Sequence, residues 1–243
     1  MRRMVLPPWQ LACRAAEQLE LAVMPRRCTF CGVSRRREEP LICAGCEADL
    51  PWISEQCAGC ARPLAAKVAE GVVCAGCQDR PTPFHVAAAP LAYEYPVDAA
   101  IRMFKFHRKL HYAAAFGELL CHAAARLPGD IDALLPVPLH WLRHGVRGFN
   151  QAAEISRPLQ KASGLPVIRN VSRTRSTPYQ SGLGSRERRR NLAGAFTVRG
   201  TIGAHHVLLI DDVITTGETC SQLARELLAH GAQKVSVLAL ARA

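Results

Sequence analysis

Nowhere does the sequence string together the roughly 20 apolar residues that a membrane-spanning helix needs. The most apolar N-terminal stretch, LACRAAEQLELAVM, is broken by Arg14, Glu17 and Glu20. It reads as an amphipathic helix ending at Pro25, and no membrane insertion is expected. Acidic residues are also in short supply. Asp and Glu number 20 against 31 Lys and Arg, a formal charge of +11, so phosphate-bearing partners are favoured over basic ones. A nucleotide-binding P-loop is missing too, because no lysine follows a glycine in the required G-x-x-x-x-G-K-[ST] spacing. Beyond DRPTPF the cysteine density collapses, which places a boundary near Phe84.

Before that boundary cysteine is abundant. Of eleven cysteines, eight fall in C-x-x-C pairs: Cys28 with Cys31, Cys43 with Cys46, Cys57 with Cys60, and Cys74 with Cys77. With no secretory leader ahead of them, these pairs point to metal in a reducing cytoplasm rather than to a disulfide framework. Two C-x-x-C turns complete a tetrahedral sulfur shell of the kind Zn²⁺ accepts. The duplicated unit therefore predicts a double zinc ribbon with two structural zinc ions, whose binding supplies folding free energy that the sparse apolar residues cannot. A redox dithiol and an iron–sulfur cluster use the same ligands; the closed Cys₄ set and the knuckle glycines Gly45, Gly59 and Gly76 favour zinc. Sequential pairing is expected, with an interleaving of the first and third pairs also open. Cys13, Cys121 and Cys220 lie in helical patterns without partners and read as buried thiols.

Three segments follow from these shifts: an N-terminal helix over 1–27, the ribbon over 28–80, and a larger domain over 84–243. In the last, HVAAAPLAYEY, DALLPVPL, LPVIRN, VLLI and KVSVLALA read as strands. VDAAIRMFKF, AAAFGELLCHAAARL, a segment from Gln151, and Gly217 to His230 read as helices. Short apolar strands alternating with longer helical segments predict an α/β fold, a mostly parallel sheet flanked by helices. Ligands on such sheets bind at the carboxyl ends of strands.

One stretch carries the chemistry. VLLIDDVITTGETC runs from an apolar strand to Asp211 and Asp212 and then to Thr215, Thr216, Gly217, Glu218 and Thr219. Carboxylates at the rim of a sheet can accept hydrogen bonds from a sugar diol or share Mg²⁺ through water. The unsatisfied N–H groups that open the next helix, with the threonine hydroxyls, form an anion pocket, and Gly217 lets the backbone approach a phosphate. Together they describe a ribose 5-phosphate site. A plain N-cap would explain the threonines and Glu218 but not the paired aspartates.

These residues resemble the phosphoribosyl pyrophosphate signature of type I phosphoribosyltransferases. Upstream, DALLPVPLHWLRHGVRGFNQAAEIS and YQSGLGSRERRRNLAGAF look like the R-G-F-N-Q and Q-x-x-L-x-x-x-x-R-x-x-N segments of the ComF family, after a double zinc ribbon in the family order. The resemblance runs from about Pro25 onward. It implies a type I phosphoribosyltransferase-like domain in which Asp211 and Asp212 hold ribose hydroxyls and residues 215–219 hold the 5-phosphate. Arg143 and Arg147, within 138–148, would then serve the pyrophosphate loop, and Ser172 to Asn191 a hood rich in arginine (Arg173, Arg175, Arg186, Arg188, Arg189, Arg190). It further implies phosphoribosyl pyrophosphate with Mg²⁺ as ligand, a role in competence beside other competence proteins, and handling of single-stranded DNA. In one respect the sequence departs from some purine transferases: Thr215 stands where they place an aspartate, so no base for a purine ring proton is evident.

FKFHRKLHY adds a second basic stretch. Lys105, Arg108 and Lys109 could pair phosphates of a single strand while neighbouring aromatics stack on bases. The helical pattern instead favours Phe104 and Phe106 on a buried face with the charges outside.

Overall fold

The computed structural model describes residues 26–36, 38–65, 69, 71–141, 145, 147–174 and 194–243. The expected N-terminal helix, Cys13, Arg143, and the hood positions Arg175, Arg186, Arg188, Arg189 and Arg190 lie outside them. The chain divides into two compact units, one ending at Asp49 and one over Leu50–Ala243.

In the first unit, β1 (Arg26–Arg27) pairs antiparallel with β2 (Ser34–Arg35), and Cys43 caps the short helix α1 (Ala44–Ala48) by accepting the N–H of Cys46 through its sulfur. The turn that follows Cys31 needs a left-handed residue, and Gly32 supplies it at φ 74°. The equivalent turn in the second unit is made by Ala61, at φ 57°. The expected knuckle glycines play other parts. Gly45 lies in α1 and Gly76 in α2 (Ala75–Asp79), and at Gly59 an added Cβ would sit 3.2 Å from the Cys77 sulfur.

The second unit is built on a parallel sheet. Its long strands, β8 (His206–Ile214) and β9 (Lys234–Arg242), are apolar over most of their length and almost wholly buried, as strands covered on both faces must be. β8 is central. It pairs with β5 (Ala133–Pro136) on one side, Leu134 opposite Leu208, and with β9 on the other, Val207 opposite Val235. β3 (Ala87–Ala88) and β4 (Leu91–Ala92) both add to the far side of β9, again parallel. The sequence suggests one strand here; Pro90 divides it, having no N–H for the ladder, while its carbonyl takes the N–H of Ile53.

The helices α3 (Val97–His107), α4 (His111–Ala124), α5 (Gln151–Ser163) and α6 (Glu218–Ala229) complete the layers. α5 starts where Asn150 accepts the Ala152 N–H at 3.0 Å and ends on Gly164 at φ 69°. α4 and α5 meet closely at Gly117, where a Cβ would overlap the Pro158 ring and stand 2.9 Å from the Ile155 carbonyl. Leu209, Leu223, Leu227 and Val237 are fully buried in the main core, each side chain contributing about 1.5–3 kcal/mol by leaving water.

LPVIRN behaves differently from expectation. Only Val167 bridges to Leu134, since Pro166 cannot donate to a ladder. The strand forms later, as β6 (Val171–Arg173), antiparallel to β7 (Phe196–Val198). Ser172 and Arg173, expected in a hood, are thus part of a two-stranded ribbon.

At the amino end of β8, His206 is fully buried and bonded on both ring nitrogens, to Asp130 Oδ1 and to Ser236 Oγ, each at 2.8 Å. Lys234 Nζ closes on Asp130 Oδ2 at 2.8 Å, and these bonds hold the Asp130 carboxyl well below the usual range. Ser236, equally buried, makes this a clasp between strands.

Candidate functional site

At its carboxyl end β8 delivers the two aspartates. Asp212 is 8% exposed and meets Lys105 Nζ of α3 at 2.9 Å. Burial pulls the Lys105 ammonium toward losing its proton, but the charges of Asp212 and Asp211 outweigh it and raise its pKa. Asp211 is half-buried. Its Oδ1 accepts the N–H of Asp212 at 2.9 Å, and its Oδ2 faces the Cys220 thiol at 3.8 Å. Desolvation first, and then the like charge of Asp212, push the Asp211 carboxyl up to about 7, with Lys105 and Arg173 opposing. Asp211 therefore exchanges a proton near neutrality, beside an Asp212 that is paired to a lysine. The Cys220 thiol is raised by burial and by Asp211, and it is buried as the sequence suggests.

The hydroxyl loop follows directly. Thr215 and Thr216 are exposed. Gly217, at φ 74° and ψ 0°, caps α6 without a side-chain bond, and a Cβ there would meet only Ile214 Cγ2 at 3.8 Å. The Glu218 N–H reaches Thr216 Oγ1 at 3.4 Å. Among the described residues the N–H groups of Thr216, Gly217 and Thr219 have no protein acceptor. Such donors at the start of a helix suit an anion. Glu218 turns away, accepting Gln222 Nε2 at 3.0 Å and facing Arg225 at 3.8 Å.

The R-G-F-N-Q segment is woven into the same region. Arg147 Nη1 donates to Gln151 Oε1 at 3.1 Å, and its guanidinium lies 5.2 Å from the centre of the Phe106 ring. Phe149 packs on Phe104 at 5.3 Å, and Asn150 Nδ2 holds the Val137 carbonyl at 3.0 Å. Gln151 is 3% exposed, and its Nε2 has no partner among the described residues. Phe104 is buried as expected, whereas Phe106 is 65% exposed: it stands beyond the apolar stripe of α3, next to the helix end at His107. The structure thus gathers Lys105, Asp211, Asp212 and residues 215–219, with Arg147 near Lys105. Arg173, named from the sequence as a hood residue, acts on Asp211 from β6. Sequence reasoning missed two neighbours, Cys220 beside Asp211 and the open amide of Gln151, for which the only sequence signal was its place in the motif.

The cysteines form two clusters, Cys28, Cys31, Cys43 and Cys46, and Cys57, Cys60, Cys74 and Cys77, the sulfurs of each lying within 4.8 Å of one another. Sequential pairing is thereby borne out. The Cys31–Cys43 and Cys60–Cys74 sulfurs are 3.7 and 3.8 Å apart, close to the ~3.8 Å edge of a tetrahedron with Zn–S near 2.3 Å. In each cluster main-chain N–H groups favour one thiolate: although burial opposes it, Cys28 falls to about 6 and Cys57 to about 7. Cys46 and Cys77 are raised by burial and by their sulfur neighbours. Four thiolates this close repel unless a cation sits among them, so the donors fit a structural zinc.

Two Cys₄ ribbons, then a parallel sheet whose central strand ends in an acid pair and a hydroxyl loop, define a zinc-ribbon protein whose larger domain resembles a phosphoribosyltransferase. Comparison with known proteins narrows this class. The double zinc ribbon domain family matches residues 19–78. DNA utilization protein YhgH of Escherichia coli K12 is 31% identical over 231 residues, covering 91% of this chain and 99% of its own. Competence protein F of Haemophilus influenzae is 29% identical over 229 residues, 89% of this chain and 97% of its own. Competence protein ComFC of Bacillus subtilis is 28% identical over 210 residues, 83% and 84% of the two chains. The chain belongs to this ComF family. The glutamine phosphoribosylpyrophosphate amidotransferase structure from B. subtilis overlays 57% of this chain and 30% of its own at 16% identity, with a TM-score of 0.39, an overlap too slight to bear on chemistry. Among the described residues no helix is long and apolar enough to cross a membrane.

Proposed function

We propose that this chain acts in the cytoplasm in DNA uptake and natural transformation, holding a ribose 5-phosphate group at the end of β8 and binding single-stranded DNA. In this reading an N-terminal helix (1–27) and the ribbon (28–80) precede the sugar-phosphate domain (84–243), and other competence proteins are its partners. The observation that carries it is the acid pair set beside the open N–H groups of Thr216, Gly217 and Thr219. Asp211 and Asp212 take the ribose hydroxyls, and residues 215–219 take the phosphate. Arg147, with Arg143 outside the described residues, serves the neighbouring phosphate group, since guanidinium binds such oxygens in pairs.

Support for a DNA strand comes from aromatic rings left in solvent beside positive charge. Phe106 is 65% and Trp141 68% exposed, and Arg147 lies against Phe106. Arg108 and Lys109 are exposed just beyond. Stacking of a base on such a ring is worth about 1–3 kcal/mol. Fluorescence anisotropy with labelled single-stranded DNA over a salt series is the test. Affinity should fall steeply with salt, and Phe106→Ala with Trp141→Ala should weaken it tenfold or more, as about 1.4 kcal/mol per tenfold implies. No binding at low salt, or binding indifferent to salt, refutes this part.

The second reading is an active phosphoribosyltransferase with an acceptor of unknown identity, favoured by the Asp211 carboxyl lying near neutral pKa, a poise suited to proton transfer. Phosphoribosyl pyrophosphate would bring Mg²⁺, which neutralises charge on the leaving pyrophosphate; Asp211 and Asp212 are the residues that could hold it, directly or through water. Pyrophosphate release is measured with candidate acceptors. Turnover unchanged in Asp211→Asn with Asp212→Asn would place the activity elsewhere.

A further inference from the structure

Arg242 closes β9 with its side chain buried, 6% exposed. Its Nε donates to the carbonyl of Cys60 at 2.9 Å and its Nη1 to the carbonyl of Ile214 at 3.2 Å. The Ala243 N–H joins it on the Ile214 oxygen at 2.9 Å. Among the described residues no carboxylate forms an ion pair with it. A guanidinium shut away from water requires a compensating charge, and two dipolar carbonyls supply only part of one. Burial weakens its hold on the proton, as does Arg62, while Cys60 and Cys74 act in the opposite sense. Four thiolates around one Zn²⁺ carry a net double negative charge, which two nearby arginines can neutralise.

We infer that the second Cys₄ centre is the counter-anion of Arg242, and that Arg242 is a positioning residue through which this centre fixes the backbone of the loop that begins at Ile214. The path is short and continuous. Cys60 offers its sulfur to the metal cluster and its carbonyl to Arg242; the same guanidinium holds the carbonyl of Ile214, and the next residues are Thr215 and Thr216, leading to Gly217 at the mouth of α6. Without the metal, the turn that presents the Cys60 carbonyl is no longer pinned, and the guanidinium loses a fixed partner at one of its two ends. The cheapest relief is for Arg242 to swing toward water, releasing Ile214 as it goes. The first cluster lies in the other compact unit. That residues 215–219 hold a phosphate rests on the function proposed above; the link itself does not.

The test uses the full chain loaded with two equivalents of zinc, Arg242→Met, which keeps the bulk and removes charge and donors, and Arg242→Lys, which keeps the charge. Two quantities are read without any sugar phosphate: hydrogen–deuterium exchange of peptides spanning residues 214–219, and zinc release to a chromogenic chelator. Arg242→Met should release one of its two zinc equivalents several-fold faster than the parent, the other at the parent rate, and should exchange several-fold faster at 214–219. Arg242→Lys should restore the release rate but not the protection of the loop. Stripping zinc from the parent should deprotect the loop, whereas emptying only the first cluster with Cys31→Ser and Cys43→Ser should not. Equal loop exchange in loaded and stripped parent overturns the inference, as does unchanged or uniformly faster release in Arg242→Met. Should Arg242→Met fail to fold, the parent and Arg242→Lys comparisons still decide. Failure of ribose phosphate to bind would sink the proposed function while leaving this coupling standing.

Discussion

Asp211 and Asp212 are adjacent, yet the structure gives them opposite electrostatic lives. Asp212 has an ammonium at 2.9 Å; Asp211 has a thiol, an N–H and the repulsion of its neighbour. A carboxyl that keeps its proton up to about 7 when folded, but only to about 3.9 when unfolded, favours the folded state at low pH. That contribution drains away as pH rises through the window between the two values. Asp211→Asn removes the titration. It should therefore be more stable than the parent near pH 8, by on the order of 2 kcal/mol once solvent screening of a half-buried group is allowed for, with the gap falling to less than half of that by about pH 5. Thermal unfolding at both pH values measures this, and a gap that is the same at both would be the contrary result. The acid pair and its threonine loop were legible because strand, acids and loop are contiguous. Lys105 was legible as a basic residue, but not as the partner of Asp212, because only the fold brings α3 to the end of β8. Phe106 was misjudged for a related reason: helical periodicity says which side a residue lies on, not where the neighbouring elements stop covering it.

At the scale of elements, the sheet was readable wherever a strand is buried on both faces. VLLI and KVSVLALA are such runs, and they became β8 and β9. Half-paired edges were less readable, since Pro90 and Pro166 each interrupt a ladder whose partner is distant in sequence. A close joint between elements, α4 against α5 at Gly117, left no mark in any pattern; a glycine inside a helix reads only as a weak spot. Its reason is the Pro158 ring. Gly117→Ala, a change that would ordinarily help a helix, should here destabilise by about 1–3 kcal/mol through overpacking. Denaturant titration of zinc-loaded protein checks it, and a neutral or stabilising outcome would mean that the two helices can part without cost.

For the whole molecule, composition announced more than any motif. The cysteine pairs foretold the two Cys₄ clusters, and the excess of Lys and Arg is what points to a phosphate-bearing partner. Neither could reveal that the second cluster shares a compact unit with the sheet, because the residues that join them, Arg242 above all, carry no signature of their own. Composition is equally blind to a decoy elsewhere in the fold. Ser236, His206 and Asp130 stand in the order and at the distances of a serine hydrolase relay, and a search by atomic template would flag them. But the hydroxyl and imidazole are sealed within the sheet, and Lys234 anchors the carboxylate, so no ester can reach the oxygen. A fluorophosphonate probe should leave the native protein unlabelled, and mass spectrometry of the intact chain would see any adduct.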